Sequence, residues 1–279
     1  MSALKDIRRR LRSVENIKKI TDAMEKIAFV QLRKAQLNAE QPRPYVLKLR
    51  ELVEKLRAAE ATHPWLEERH VKKTGVIIIS SDKGLSGAYN TNIFEVADNF
   101  LKNYVPEQVE LLLFGRKAYS HYKKRKWPIR FNFNNWSGKI SKAEVSKFTH
   151  QLLEWFSVGD LDEIWLIYTN FISIVNKKIV VEKFMDVPEK KDNRMRNLNY
   201  IYEPDADAIL AELLPKYSVM HIQSALNEAY ASELASRVLA MQIASKNSDD
   251  LIDNLTLVRN RVRQESITKE MLEISAVQS

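Results

Sequence analysis

The stretch MQIASKNSDDLIDNLTLVRNRV, Met241–Val262, decides the architecture. Met241, Ala244, Ser248, Leu251, Leu255, Val258 and Val262 step by 3, 4, 3, 4, 3 and 4. A seven-residue repeat of this kind predicts a left-handed helical seam. The alternative is one helix lying on a core, with the same periodicity. From Lys216 to Ser279 there is neither glycine nor proline. An unbroken helix over those 64 residues would be about 95 Å long at 1.5 Å per residue, well beyond an ordinary globular helix. The stripe slips after Val262 and restarts at Ile267, Met271 and Ile274. The slip predicts a partner that ends there and an overhang at the extreme C-terminus.

The other end of the chain is similar. No glycine precedes Gly75 and no proline precedes Pro42. Leu4, Ile7, Leu11, Val14, Ile17, Ile20, Met24, Ile27, Ala28, Leu32 and Ala35 give one apolar face at helical spacing. A second helix is expected over Tyr45–Ala61, between Pro44 and Pro64. Residues 1–74 carry 18 Lys/Arg against 10 Asp/Glu, while residues 204–279 carry 7 against 11. A basic rod and an acidic rod attract, which favours pairing with each other over pairing with copies of themselves.

All six glycines lie between positions 75 and 159, where the pattern changes. Val76–Ser80, Val109–Phe114, Ile129–Phe133, Ile164–Thr169 and Ile179–Phe184 read as strands, with Ile129–Phe133 at an edge. Helices are expected over about 91–104, from Gly115 to about 125, and over about 142–156. Such alternation predicts a mainly parallel α/β layer. The expected division is 1–74, 75–203 and 204–279.

Composition excludes several classes. The 279 residues are 45% hydrophobic and 29% charged, as in a soluble folded protein, and no apolar run reaches membrane-spanning length. No cysteine is present, which excludes disulfides and thiol chemistry. Met1–Arg12 is basic but lacks the apolar core of a secretory signal. A mitochondrial presequence is the alternative there, against which stand the immediate helical pattern and the lack of serine. The turn Gly84-Leu85-Ser86-Gly87 has its lysine, Lys83, before the glycines, so it fits a tight strand-to-helix turn better than a phosphate loop. Histidines 63, 70, 121, 150 and 221 lack metal-site spacing. Asp249, Asp250 and Asp253 fit a solvated helix face, with a cation site as the alternative. Lys123–Lys126, beside Tyr122 and Trp127, is the one candidate nucleic-acid patch. No catalytic residue, metal ligand or cofactor site is assigned, and the residues alone indicate a scaffold or mechanical element.

Three segments together resemble one family. IRRRLRSVENIKKITDAM (Ile7–Met24), SDKGLSGAYN (Ser81–Asn90) and NRVRQESITKEMLEI (Asn260–Ile274) are similar, in order, to the signatures of the γ subunit of the rotary F-type ATP synthase. YIYEPD (Tyr200–Asp205) and the run from Ala231 through Arg237 to Met241 add to the likeness. The chain departs from the family pattern at Val238, Leu239, Glu265, Val277 and Gln278, and it lacks the chloroplast cysteine insertion.

The resemblance implies an α/β protein: an antiparallel coiled coil of the N- and C-terminal helices plus a central Rossmann-like domain. It implies a non-catalytic rotor shaft coupling ion flow to ATP synthesis or hydrolysis. The expected partners are the α and β subunits of the catalytic ring, the ε subunit and the c ring, with no nucleic acid and no cofactor. By position, Met24, Arg237, Gln264, Thr268 and Glu270 match residues that touch β, and Tyr200 and Glu203 match residues that touch the c ring. The bland alternatives are coiled-coil core for Met24, solvated polar residues for the other four β-contact positions, and turn-shaping for Tyr200 and Glu203. The implied location is peripheral, on the cytoplasmic face of a bacterial membrane, with the mitochondrial matrix face as the alternative. Two other classes remain open at this point: a basic coiled-coil protein binding nucleic acid or acidic lipid, and a nucleotide-binding enzyme built on the central domain.

Overall fold

The computed structural model describes residues 2–67, 69–185 and 202–277. Element order is α1 (Ser2–Glu40), α2 (Arg43–Ala58), β1 (Thr74–Ile79), α3 (Tyr89–Leu101), β2 (Val109–Phe114), α4 (Arg116–Lys124), β3 (Ile129–Phe133), α5 (Lys142–Val158), β4 (Glu163–Phe171), β5 (Lys177–Lys183) and α6 (Ala206–Val277). The chain divides into two compact units, residues 31–236 and residues 1–30 with 237–279.

In the larger unit a five-stranded sheet has the order β3-β2-β1-β4-β5. β1 pairs parallel with β2 and β4, β2 pairs parallel with β3, and only β4–β5 is antiparallel. The β1 run GVIII is buried along its whole length, as expected of a central strand covered on both faces. Side chains alternate between faces. Ile77, Ile79, Leu112 and Phe114 join a core with residues of α2, α5 and α6. Val76, Ile78, Leu111 and Leu113 join a second core with residues of α3 and α4. Local signals set the helix ends. Ser141 and Glu144 form a reciprocal capping box at the start of α5, and Gly159 ends it in the left-handed conformation. α6 begins ten residues before the proline-free stretch, with Pro215 inside it.

In the smaller unit α1 and α6 run antiparallel. Lys18 bonds Asp249, and Ser245 bonds Asp22, so numbers rise on one helix as they fall on the other. The seam on α1 is Leu4, Ile7, Leu11, Val14, Lys18, Thr21, Glu25 and Ala28, all buried or half-buried. On α6 it is Met241, Ser245, Ser248, Ile252, Leu255, Arg259, Val262 and Ser266. Both sets keep the 3–4 alternation of a coiled coil.

The sequence reading of this seam needs correction in its middle. Ile17, Ile20 and Ile27 on α1, and Leu251 and Val258 on α6, were expected inside and are exposed. Small or long-stemmed polar residues hold the seam positions instead. Thr21 Oγ1 donates to the carbonyls of Ile17 and Lys18, and Ser248 Oγ donates to Ala244 O. Their hydroxyls are satisfied within their own helix, so burying them carries little penalty. The register also places Ser2, the start of α1, level with position 265. The last turns of α6 therefore extend past the start of α1, as the phase slip predicts.

Candidate functional site

The helical pair carries its distinctive chemistry on the outside. Ile20 is 58% exposed, Val30 69%, Ile243 60% and Leu257 68%. Ile17, Ile27, Phe29, Leu251 and Val258 are exposed as well. Scattered apolar residues are ordinary on a surface, but this many on two helices is the mark of an interaction surface. Hydrophobic periodicity could not find it, because it assigns Ile17, Ile20, Ile27, Leu251 and Val258 to the seam. The missed signal was polar: Lys18, Thr21 and Ser245 fall on the heptad, and Ile17 and Ile20 beside the first two do not.

The positions singled out from the sequence fall into two groups. Met24 is half-buried on α1, and the register sets it level with Ile243, near Arg237, which is also half-buried. Gln264 and Thr268 are exposed one turn apart on α6, where Thr268 Oγ1 donates to Gln264 O at 3.0 Å. Along the helix these groups are separated by about 20 residues, roughly 30 Å. By register Met24 lies about six residues, roughly 9 Å along the helix, from Arg237, and Gln264 and Thr268 lie further along α6. Glu270 lies in α6, with its side chain outside the described residues. Glu203 is exposed just before α6, and Tyr200 lies outside the described residues.

The larger unit bears on the nucleotide-enzyme reading. In an open α/β sheet the ligand crevice lies at the carboxyl ends of the strands where the order reverses. Here the reversal falls between β1 and β4. α6 packs there: Tyr89 Oη donates to Ala229 O at 3.0 Å, and Ser232 Oγ donates to Thr169 O at 3.1 Å. Tyr230 fills space beside Gly138, where an added Cβ would come within 2.2 Å of its ring. The usual ligand position is taken by the protein's own helix.

The turn after β1 is a structural hub. Asp82 is 2% exposed. Its carboxylate accepts from the backbone N–H groups of Arg116 (3.1 Å), Asn135 (2.7 Å) and Ser137 (2.9 Å), and from the Ser137 hydroxyl (2.9 Å). Asn90 Oδ1 accepts from Ser81 N–H at 3.1 Å. Gly115 begins the neighbouring turn at φ 98°, and a Cβ there would meet Ser80 O at 2.4 Å. The turn motif therefore builds a joint between β1, α4 and the loop after β3.

The nucleic-acid reading keeps only one of its two aromatic neighbours, the half-buried Trp127. Tyr122 is fully buried beneath the basic run of residues 123–126, so its ring is not available to stack on a base. Asp249 bonds Lys18. Among the described residues no group of three or more His, Asp or Glu side chains is placed to hold a metal ion. No described helix is long and apolar enough to cross a membrane.

Comparison with known proteins supplies the context. The family model described as ATP synthase matches residues 3–278. The chain is 47% identical over 279 residues to an "ATP synthase gamma chain" of Protochlamydia amoebophila, covering 99% of this chain and 98% of that protein. It is 36% identical over 277 residues to the protein of that name from Brevibacillus brevis, covering 98% and 96%. Its fold matches a chain of the Euglena gracilis mitochondrial ATP synthase OSCP/F1/c-ring structure, with TM-score 0.69 and 16% identity, over 99% of this chain and 94% of that one.

Proposed function

We infer a role in rotary catalysis from one premise: the chain belongs to the ATP synthase gamma family. Its role is that of the central rotor shaft, coupling ion flow through a membrane c ring to ATP synthesis or hydrolysis at surrounding β subunits. The observation that carries this reading is the antiparallel helix pair with its apolar residues turned outward. Such a surface suits a shaft enclosed by a ring of other subunits.

The mechanism follows from asymmetry. The pair presents different side chains at each azimuth: Ile17 and Ile20 on one helix, Leu251 and Val258 on the other. Each surrounding β subunit meets a different face, and each face favours one of its conformations and hence one nucleotide affinity. Turning the shaft permutes those states. The chain itself carries no bond-making step. Met24 and Arg237 form one contact patch for β, while Gln264, Thr268 and Glu270 form a second nearer the C-terminus. Tyr200 and Glu203 are the contact positions for the c ring. In this division residues 1–74 supply the first shaft helix and the short helix after it, 75–203 the foot domain and 204–279 the long shaft helix. The α and β ring, ε and the c ring are its partners, and the complex holds it at the cytoplasmic face of a bacterial membrane.

Co-purification with a tagged chain tests the assembly: α, β and ε should accompany it, and their absence refutes the role. Met24→Lys places a cation among the β contacts. It should lower proton pumping more than ATP hydrolysis in membranes. Equal loss of both, or no loss, counts against the Met24 assignment.

A further inference from the structure

We propose that the crevice between the carboxyl ends of β1 and β4 serves as the torque joint of the α/β domain, with Glu228 as the residue that positions α6 in it. This rests on the rotor reading. Glu228 is 4% exposed. Its carboxylate accepts from Arg43 Nε at 2.6 Å, from Arg43 Nη2 at 2.9 Å and from the Phe171 N–H at 3.0 Å. Arg43 Nη2 also donates to Phe171 O. One carboxylate thus ties the start of α2, the end of β4 and the first third of α6.

The geometry suits resistance to turning. Apolar packing is non-directional and lets a helix slide or roll at small cost. A guanidinium fork on a carboxylate fixes both distance and plane. Tyr89 to Ala229 O and Ser232 to Thr169 O grip α6 in the turn just after Glu228. A torque applied to the domain therefore meets directional bonds before it meets side-chain packing. The site a related fold would give to a nucleotide has been converted into a mount for the helix that also runs into the coiled coil.

The test uses the whole complex in sealed vesicles carrying Glu228→Gln. Two rates are read: ATP hydrolysis with an uncoupler present, and the steady acidification reached without one. Loss of the charge leaves the Arg43 fork poorly matched. Hydrolysis without load should stay within about twofold of wild type, while steady acidification falls by about half or more. Wild-type acidification overturns the proposal, even if thermal stability has dropped. So does a fall in unloaded hydrolysis that matches the fall in acidification. If Glu228→Gln does not assemble, Arg43→Lys keeps the cation, removes the fork and is judged by the same two rates. A tagged wild-type chain that brings down no α and β subunits overturns the rotor reading instead.

Discussion

Lys18 and Asp249, 231 positions apart in the chain, are joined ammonium to carboxylate across the helix pair. One turn along, Ser245 donates to Asp22. Together they define the register, because each pairs only at one offset. The hydrogen bond that Lys18 donates to Asp249 is the main cause holding its ammonium above its ordinary pKa of 10.5. A raised basic group contributes fully below its unfolded pKa, so the pair is intact at neutral pH and is lost as pH rises through the raised, folded value.

The register can be read by cross-linking, since the chain has no native cysteine. Asp22→Cys with Ser245→Cys should form a disulfide under mild oxidation, detected by gel mobility without reductant. Asp22→Cys with Leu255→Cys, ten residues out of register, should not. Both helices belong to one rotor, so the cross-linked complex should keep hydrolysing ATP. Cross-linking of the second pair in preference to the first would refute the pairing.

Seam and outer surface should separate in their effects. Leu11 is 8% exposed, so Leu11→Ala should lower stability of the full chain by about 2–3 kcal/mol. Ile20 faces outward, so Ile20→Ala should change stability by less than about 0.5 kcal/mol while lowering coupled activity in the assembled complex. Denaturant midpoints of the isolated chain provide the comparison. Equal midpoint shifts would put Ile20 back in the seam.

Asp82→Ala would strand three backbone N–H groups in a part-buried site. Each unsatisfied donor costs about 1–3 kcal/mol, so the total should exceed about 3 kcal/mol. Asp82→Asn keeps one acceptor oxygen and should fall between. Urea midpoints and amide exchange at Asn135 and Ser137 report the change. An Ala variant as stable as wild type would remove Asp82 from its role as hub.

A pH effect is expected at Glu182. Burial pushes its carboxyl pKa up, but the hydrogen bond and charge of His221, aided by the Tyr168 hydroxyl, outweigh it and hold the group below its usual value. His221 Nε2 lies 2.9 Å from Glu182 Oε1, with its ring stacked between Phe184 and Tyr217. A lowered acid contributes stability above its unfolded pKa of about 4.3 and loses it as pH falls through the folded value. Wild-type stability should therefore drop across that acid range. His221→Gln should be less stable at pH 7 and show a flatter acid limb. Superimposable acid limbs would exclude the pair as their source.

The α/β layer was readable because buried parallel strands are continuous apolar runs bounded by glycine and polar turns. Val109–Phe114 and Ile129–Phe133 lie where the sequence puts them. The antiparallel β5 follows β4 through a hairpin loop too short for a crossover. The candidate site was less readable. The family likeness marks Met24, Arg237, Gln264 and Thr268 as positions, but not that they lie in two patches about 30 Å apart. Glu228 and Arg43 belong to no motif, and their relation exists only when α2 and α6 meet at the end of β4.

The polypeptide by itself determined two terminal helices, a glycine-punctuated sheet domain between them and a charge bias that makes the helices attract. Those properties depend on residues near one another in sequence, through propensity, periodicity and turn chemistry. Tertiary structure decided which face of each helix turns inward. Ile17 and Lys18 stand side by side, and a local hydrophobic rule buries the first. Asp249, far along the chain, instead draws Lys18 toward the seam and leaves Ile17 outside.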